Sequence, residues 1–257
     1  LYGMSRNTQP GWRRAWAASL PRNVLILGFI SLLTDASSEM MMWTVPFFIA
    51  LLGGGAVWIG VVEGLRESLA SLLKLASGWF SDRIGRRKAL VVSGYGLSTL
   101  VKPLLALAAA PWHVVSLLGI ERLGKGIRTA PRDALIAGVI EEQHRGKAFS
   151  FHRMMDHAGA VIGLLTGTAL VAVLFPLFRD SGGKTPADVF RTMYLIAAVP
   201  ALLAVLAGLF LLREQRAATA PVRVSLRAGY DPSFWGFLGV LLVFALGNSS
   251  DLFLIVR

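Results

Sequence analysis

Gly78-Trp79-Phe80-Ser81-Asp82-Arg83-Ile84-Gly85-Arg86-Arg87-Lys88 joins two long apolar stretches, and membrane physics accounts for each of its parts. Two spanning helices that reverse on one side of a bilayer need a short turn. Gly78 lets helix backbones approach closely, and Gly85 suits a left-handed turn position. Asp82 is placed to cap a helix N-terminus or to pair with a neighbouring arginine. Arg83, Arg86, Arg87 and Lys88 crowd the loop with positive charge, which holds such a loop on the cytoplasmic side.

Composition points to the same class. Apolar residues make up 54% of the chain and charged residues 16%, with a mean hydropathy of +0.60. A soluble domain carries about 25% charged residues. Cysteine is absent, which leaves no disulfide framework and no thiolate metal site. The net charge of +11 does not read as a nucleic-acid footprint. The basic residues sit mainly in loops between apolar stretches, where they bias topology and meet anionic headgroups.

Seven apolar segments run over Asn23–Leu52, Val57–Phe80, Ala89–Ala110, Trp112–Ile140, Phe149–Phe175, Phe190–Leu212 and Ser233–Arg257. Each reaches the roughly 20 residues that a helix needs to cross the hydrocarbon core. The first is too long for a cleaved signal peptide, and others follow it. The expected organisation is a basic lead over residues 1–22, a six-helix bundle over 23–212, a basic linker over 213–232 and a seventh helix over 233–257. The chain starts at leucine rather than methionine, and Met4 is a candidate native start.

Lysine and arginine set the expected orientation. One side collects Arg6, Arg13, Arg14 and Arg22 in the lead, the four basic residues of the second-to-third loop, Arg145 and Lys147, and then Arg213, Arg216, Arg223 and Arg227. The other side holds only Arg179, Lys184 and Arg191. The N-terminus is therefore expected in the cytoplasm and the protein in the plasma (cytoplasmic or inner) membrane.

A trace of an internal repeat is present. Phe29–Met40 and Leu241–Leu252 are both apolar helices with a polar centre, and Ser37-Ser38-Glu39 aligns on Ser249-Ser250-Asp251. Secondary transporters are built from such repeats. The match is short, and chance similarity between two such helices is the competing reading.

The Gly78–Lys88 loop resembles the one between helices two and three of the major facilitator superfamily, G-x-x-x-D-R-x-G-R-R/K, at Gly78, Asp82, Arg83, Gly85, Arg86 and Arg87. Leu118–Ala130 resembles that family's fourth-helix motif: Arg122 and Gly126 match, whereas Lys125 and Arg128 depart by adding charge. Glu141–Ala148 resembles the loop that follows. Gly159–Gly163 partly resembles the fifth-helix motif of drug–proton antiporters, with Ala160 where that motif has proline. The resemblance implies an all-α integral membrane protein, a six-helix N-terminal bundle with a seventh helix that starts a second half. It also implies alternating access and a solute site between halves. The partner of the Asp82 loop would lie on an eleventh helix, so a missing C-terminal half-bundle is expected to be needed for activity.

Charge at membrane depth carries the functional expectation. An ionisable residue at the centre of a spanning helix costs several kcal/mol unless it is paired or faces water. Asp35 and Glu39 share a face of segment one. Segment two has Glu63, Arg66, Glu67 and Lys74. Segment three has Lys102, and segment four Glu121, Arg122, Lys125, Arg128, Arg132 and Asp133. Segment five opens with His152, Arg153, Asp156 and His157, and segment seven carries Asp251. A bundle around a hydrated polar cavity accommodates these charges most economically. Its solute and proton pathway is expected at Asp35, Glu39, Glu63, Glu67, Arg122, Lys125, Arg132, Asp156 and Asp251. Arg66, Lys74, Glu121, Asp133 and Arg153 read as structural ion pairs. His152 and Asp156 share a face but His157 lies off it, which argues against a metal cluster. The basic stripe Arg122–Lys125–Arg132 suits an organic anion or zwitterion, and the acid pairs suit protons or a cation.

No P-loop, nucleophile elbow, H-E-x-x-H or dinucleotide fingerprint occurs, so neither a cofactor nor enzyme chemistry is expected. The expected function is secondary active transport of a small molecule coupled to protons, with the lipid bilayer as the surrounding partner. A channel or a non-transporting scaffold is the alternative, and an intramembrane enzyme is a more distant one.

Overall fold

Apolar runs in a bilayer must satisfy their own backbone groups, which leaves helices as the economical solution. The computed structural model describes residues 20–65, 77, 86–180, 185–214 and 231–247, and among these it contains helices and no strand. The elements are α1 Arg22–Met42, α2 Val45–Leu51, α3 Ala56–Leu65, α4 Arg87–Ala106, α5 Pro111–Gly138, α6 Arg145–Asp180, α7 Pro186–Phe210 and α8 Pro232–Gly247.

The first apolar segment is two helices rather than one. Pro46 lacks the N–H that would continue the ladder, and the chain turns at Trp43 and Thr44. The Thr44 hydroxyl donates to the Met41 carbonyl at 2.6 Å and so caps the end of α1. The hairpin to α3 turns on Gly53, whose φ of +84° is the left-handed conformation that favours glycine.

Among the described residues, four stretches are long and apolar enough to cross a membrane: Arg22–Leu51, Arg87–Ala106, Glu142–Arg179 and Pro186–Phe210. The 28-residue α5 has the length, but Glu121, Arg122, Lys125, Arg128, Arg132 and Asp133 interrupt its apolar character. It lies against α4, which carries it in the bundle. α6 turns Val161, Leu164, Leu165 and Val173 outward, the surface lipid would cover.

Lipid supplies little hydrophobic drive between helices, so close packing must hold them together. Two glycine seams do this. Gly159, Gly163 and Gly167 recur every fourth residue on α6, and a Cβ on each would collide with the carbonyls of Leu32, Ala36 and Met40 on α1. Gly94 on α4 and Gly124 on α5 face each other. A Cβ on Gly94 would lie 2.6 Å from the Gly124 oxygen, and one on Gly124 2.7 Å from the Gly94 oxygen. α7 packs on both α1 and α4 and so links the two pairs.

Two apolar cores lie toward opposite ends of the bundle. One gathers Met41, Phe48, Leu105, Leu118 and Tyr194, with the Phe48 and Tyr194 rings edge to face at 5.2 Å. The other gathers Leu27, Ile30, Tyr95, Leu135 and Ile136. Polar ties fix the ends. Asn23 donates to the Arg213 carbonyl at 2.9 Å. Lys88 Nζ donates to the Leu209 carbonyl at 2.7 Å, which joins the start of α4 to the end of α7. At the other end Arg191 reaches the Ala108 carbonyl at 3.3 Å.

Residues 217–257 form a second compact unit. Its helix α8 starts with Pro232 in the first turn, where a missing N–H costs nothing. The Asp231 carboxylate accepts the Ser233 N–H at 2.8 Å and its hydroxyl at 2.7 Å. These bonds hold the Asp231 carboxyl below its usual range.

Candidate functional site

On α5, Lys125, Arg128, Thr129 and Arg132 follow the spacing that places them on one helix face. That face borders a polar cavity of about 260 Å³. α1 contributes Ser31, Thr34 and Asp35, α4 contributes Tyr95, and α6 contributes Arg153 and Asp156. Asp133 completes the lining. The seams described above set its walls, since α6 is pinned to α1 and α5 to α4.

Some of these charges are settled inside the protein. Arg132 donates from Nε and Nη2 to Asp133 Oδ1 at 3.0 and 2.9 Å. Asp156 Oδ1 accepts the Ser31 hydroxyl and lies 3.4 Å from His152 Nδ1. Arg128 is buried with neutral partners: Nη1 donates to Ser98 Oγ at 2.6 Å, and the guanidinium stacks 4.4 Å from the Tyr95 ring centre. Asp35 and Lys125 differ. They line the cavity from facing helices, and among the described residues neither side chain makes a hydrogen bond or an ion pair.

Four of the expected pathway residues, Asp35, Lys125, Arg132 and Asp156, are thus brought together. Arg122 is not among the lining residues. It lies buried with its Nε 3.0 Å from Glu121 Oε2. Glu39 is exposed and Glu63 half-buried, and both are outside the lining. Of the expected gating loop, Arg86 is exposed at the start of α4 and Arg87 Nη1 reaches the Ala134 carbonyl at 3.4 Å. Glu67, Gly78, Asp82, Arg83, Gly85 and Asp251 lie outside the described residues, as do Arg66 and Lys74. Glu121 and Asp133 do make ion pairs with their neighbours, whereas Arg153 is exposed at the cavity rim.

Arg128, Tyr95 and Ser31 belong to the site without having been singled out for it. Arg128 was legible, being three residues from Lys125 and four from Arg132. Tyr95 was not, because Gly94-Tyr95-Gly96 reads as packing and its ring enters the site only through the α4–α5 crossing. Lys102, beside Pro103, is buried near the site and donates to Ser38 Oγ at 3.0 Å.

The geometry agrees with what the chain is similar to. The family model of the Major Facilitator Superfamily matches residues 59–256. An uncharacterized MFS-type transporter of Methanocaldococcus jannaschii is 36% identical over 241 residues, 93% of this chain and 57% of that protein. The multidrug resistance protein MdtH of Salmonella choleraesuis is 32% identical over 162 residues, 61% of this chain and 40% of that one. The crystal structure of a bacterial homolog of the human lysosomal transporter Spinster, inward-facing and unoccupied, superposes with a TM-score of 0.67 at 18% identity. That match covers 86% of this chain and 50% of the other. The chain thus spans between about two fifths and three fifths of these relatives' length. Its helices and its match to the family over most of its length agree, and the chain belongs to the Major Facilitator Superfamily.

Proposed function

We propose that the protein is a proton-coupled secondary active transporter that moves a small solute across the cytoplasmic membrane by alternating access. Residues 23–212 would form the first six-helix bundle, and residues 233–257 the first helix of a second half that completes the transport path. The N-terminus would face the cytoplasm, as the basic loops require. The likeness to a multidrug resistance protein over part of the chain supports export by antiport for a cationic solute, whereas an anionic solute that binds together with a proton would be carried by symport. The Asp82–Arg83 loop would control switching between access states, and Glu39, Glu63, Glu67 and Asp251 would extend the pathway beyond the cavity.

The observation that carries this reading is the cavity itself. The Asp35 and Lys125 side chains face it with no hydrogen bond or ion pair among the described residues, and such charges at membrane depth mark a route for ions or solutes. Asp35 takes the part of the proton-exchanging group. The test uses the protein expressed from its full reading frame in liposomes with an imposed pH gradient. Solute flux should rise with the gradient, and Asp35→Asn should remove that dependence. Flux indifferent to the gradient in the parent protein would overturn the coupling, and no flux for any solute class would overturn the transporter reading.

A further inference from the structure

We propose that the cavity binds a singly charged carboxylate on Lys125 and Arg128, and that this anion and a proton on Asp35 bind cooperatively. The proposal rests on the transporter reading and names the class of solute, for which the coupling to protons is symport.

The local charge inventory selects the sign. Arg132 is matched by Asp133. Asp156 is engaged by Ser31 and His152. Among the described residues Arg128 has only the Ser98 hydroxyl and the Tyr95 ring. Lys125, Asp35 and, at the rim, Arg153 remain, and the lining as a whole carries four cations (Lys125, Arg128, Arg132, Arg153) against three acids (Asp35, Asp133, Asp156), an excess of one. A monoanion balances that excess, whereas a cation would increase it. Lys125 offers three N–H donors, and Arg128 keeps guanidinium N–H groups beyond the one given to Ser98. Arg128 is 4% exposed, so its stacking and hydrogen bond hold the fork in place before a ligand arrives. Charge-assisted bonds from such donors to an oxyanion are among the stronger ones. The volume of about 260 Å³ holds about nine waters at roughly 30 Å³ each, the scale of a small organic acid.

Cooperativity with the proton follows from position. The groups around Asp35 are Lys125, Arg128 and Arg132 from α5, Asp156 with His152 and Arg153 from α6, and Lys102 and Tyr95 from α4. α7 packs against α1 through Ala197, whose carbonyl accepts from Ser37. On α1 itself Glu39 is one turn away and exposed. Of the cations lining the cavity Lys125 acts most strongly on Asp35, and among the described residues its side chain has no hydrogen bond or ion pair. An anion that takes it over removes the charge that favours ionised Asp35 and adds a like charge beside it. Both effects favour a proton on Asp35. By reciprocity, a proton on Asp35 strengthens anion binding by the same factor.

Titration calorimetry on the full-reading-frame protein in detergent, with lactate as the probe, tests this without requiring flux. Lactate should bind with net proton uptake, and its Kd should tighten as pH falls, by up to about tenfold per pH unit. Asp35→Asn should bind lactate with a flat pH profile and no proton uptake. Lys125→Gln should weaken binding at least about tenfold, and Lys125→Arg should restore most of it. If Lys125→Gln fails to fold, the parent and Asp35→Asn profiles decide alone. Glycine betaine, a zwitterion, is the contrasting probe. Binding of betaine but not lactate, or lactate binding whose pH dependence survives Asp35→Asn, overturns the proposal. Gradient-driven flux of a cation without lactate binding would overturn this inference and leave the transporter reading standing. Lactate binding without flux would do the reverse.

Discussion

Arg122 and Lys125 stand three residues apart on α5 and meet opposite fates. Arg122 is buried against Glu121, its guanidinium 3.0 Å from that carboxylate. Lys125, one turn further on, faces a polar cavity, and its side chain makes no hydrogen bond or ion pair among the described residues. Both are cations at comparable depth in one helix. The difference lies in what the neighbouring chain offers. At 121–122 the α4–α5 crossing closes: Ser98 donates to the Glu121 carbonyl at 3.2 Å, and Gly124 lets α4 approach within contact. At 125–132 α1 and α6 stand across an open space. Thus a charge on one helix can be settled by its own neighbour or left facing a cavity, and the packing decides which.

The largest effect should come from breaking the settled pair. Glu121→Gln removes the carboxylate from a buried ion pair, which costs about 3–5 kcal/mol. Lys125→Gln breaks no ion pair and should cost less than about 1 kcal/mol. Denaturant unfolding of the detergent-solubilised protein compares the two directly. Equal costs would erase the contrast between the regions.

A smaller effect asks whether the open region depends on the seam that frames it. Gly163→Ala places a methyl against the Ala36 carbonyl, and overpacking of this kind costs about 1–3 kcal/mol. Because α1 carries Asp35 and α6 carries Asp156, lactate affinity should fall together with stability. Gly146→Ala, where a methyl meets open space, is the matched control. Loss of stability with unchanged affinity would separate the cavity from the α1–α6 seam.

The smallest effect concerns a charge in water. Asp231 is fully exposed, and its carboxyl is held below the usual range by Ser233. A group with a depressed folded value stabilises above its unfolded pKa and loses that contribution as pH falls through the folded value. Amide exchange at the start of α8, corrected for intrinsic rates, should therefore accelerate as pH drops through that value. Asp231→Asn should show the same increase at neutral pH, with global unfolding unchanged. A global change of the size expected for Glu121→Gln would mean that a solvated carboxylate and a buried one weigh alike here.

Much of the fold was legible in residue order. The apolar segments, the short hairpin at Gly53–Gly55 and the helical character of the described residues follow from hydropathy and from the need to satisfy the backbone in lipid. The break at Trp43–Thr44 was signalled by Pro46, although the apolar run conceals it. The site was only partly legible. Helical spacing puts Lys125 and Arg132 on one face, and Arg128 falls between them by the same rule. Arg122 satisfies nearly the same spacing, and no sequence argument separates it from Lys125.

The sequence by itself determined the lipid environment, the number of apolar segments, the bias of the loops and the abundance of charge at membrane depth, because these depend on composition and local order. Tertiary structure decided which charges meet. Glu121 claims Arg122 where α4 and α5 close on Gly94 and Gly124. Asp35 and Lys125 are left facing each other where α6, pinned to α1 by Gly159, Gly163 and Gly167, helps to frame a cavity. Charge pairing is settled over a few ångströms between helices distant in sequence, and helix crossings set those distances.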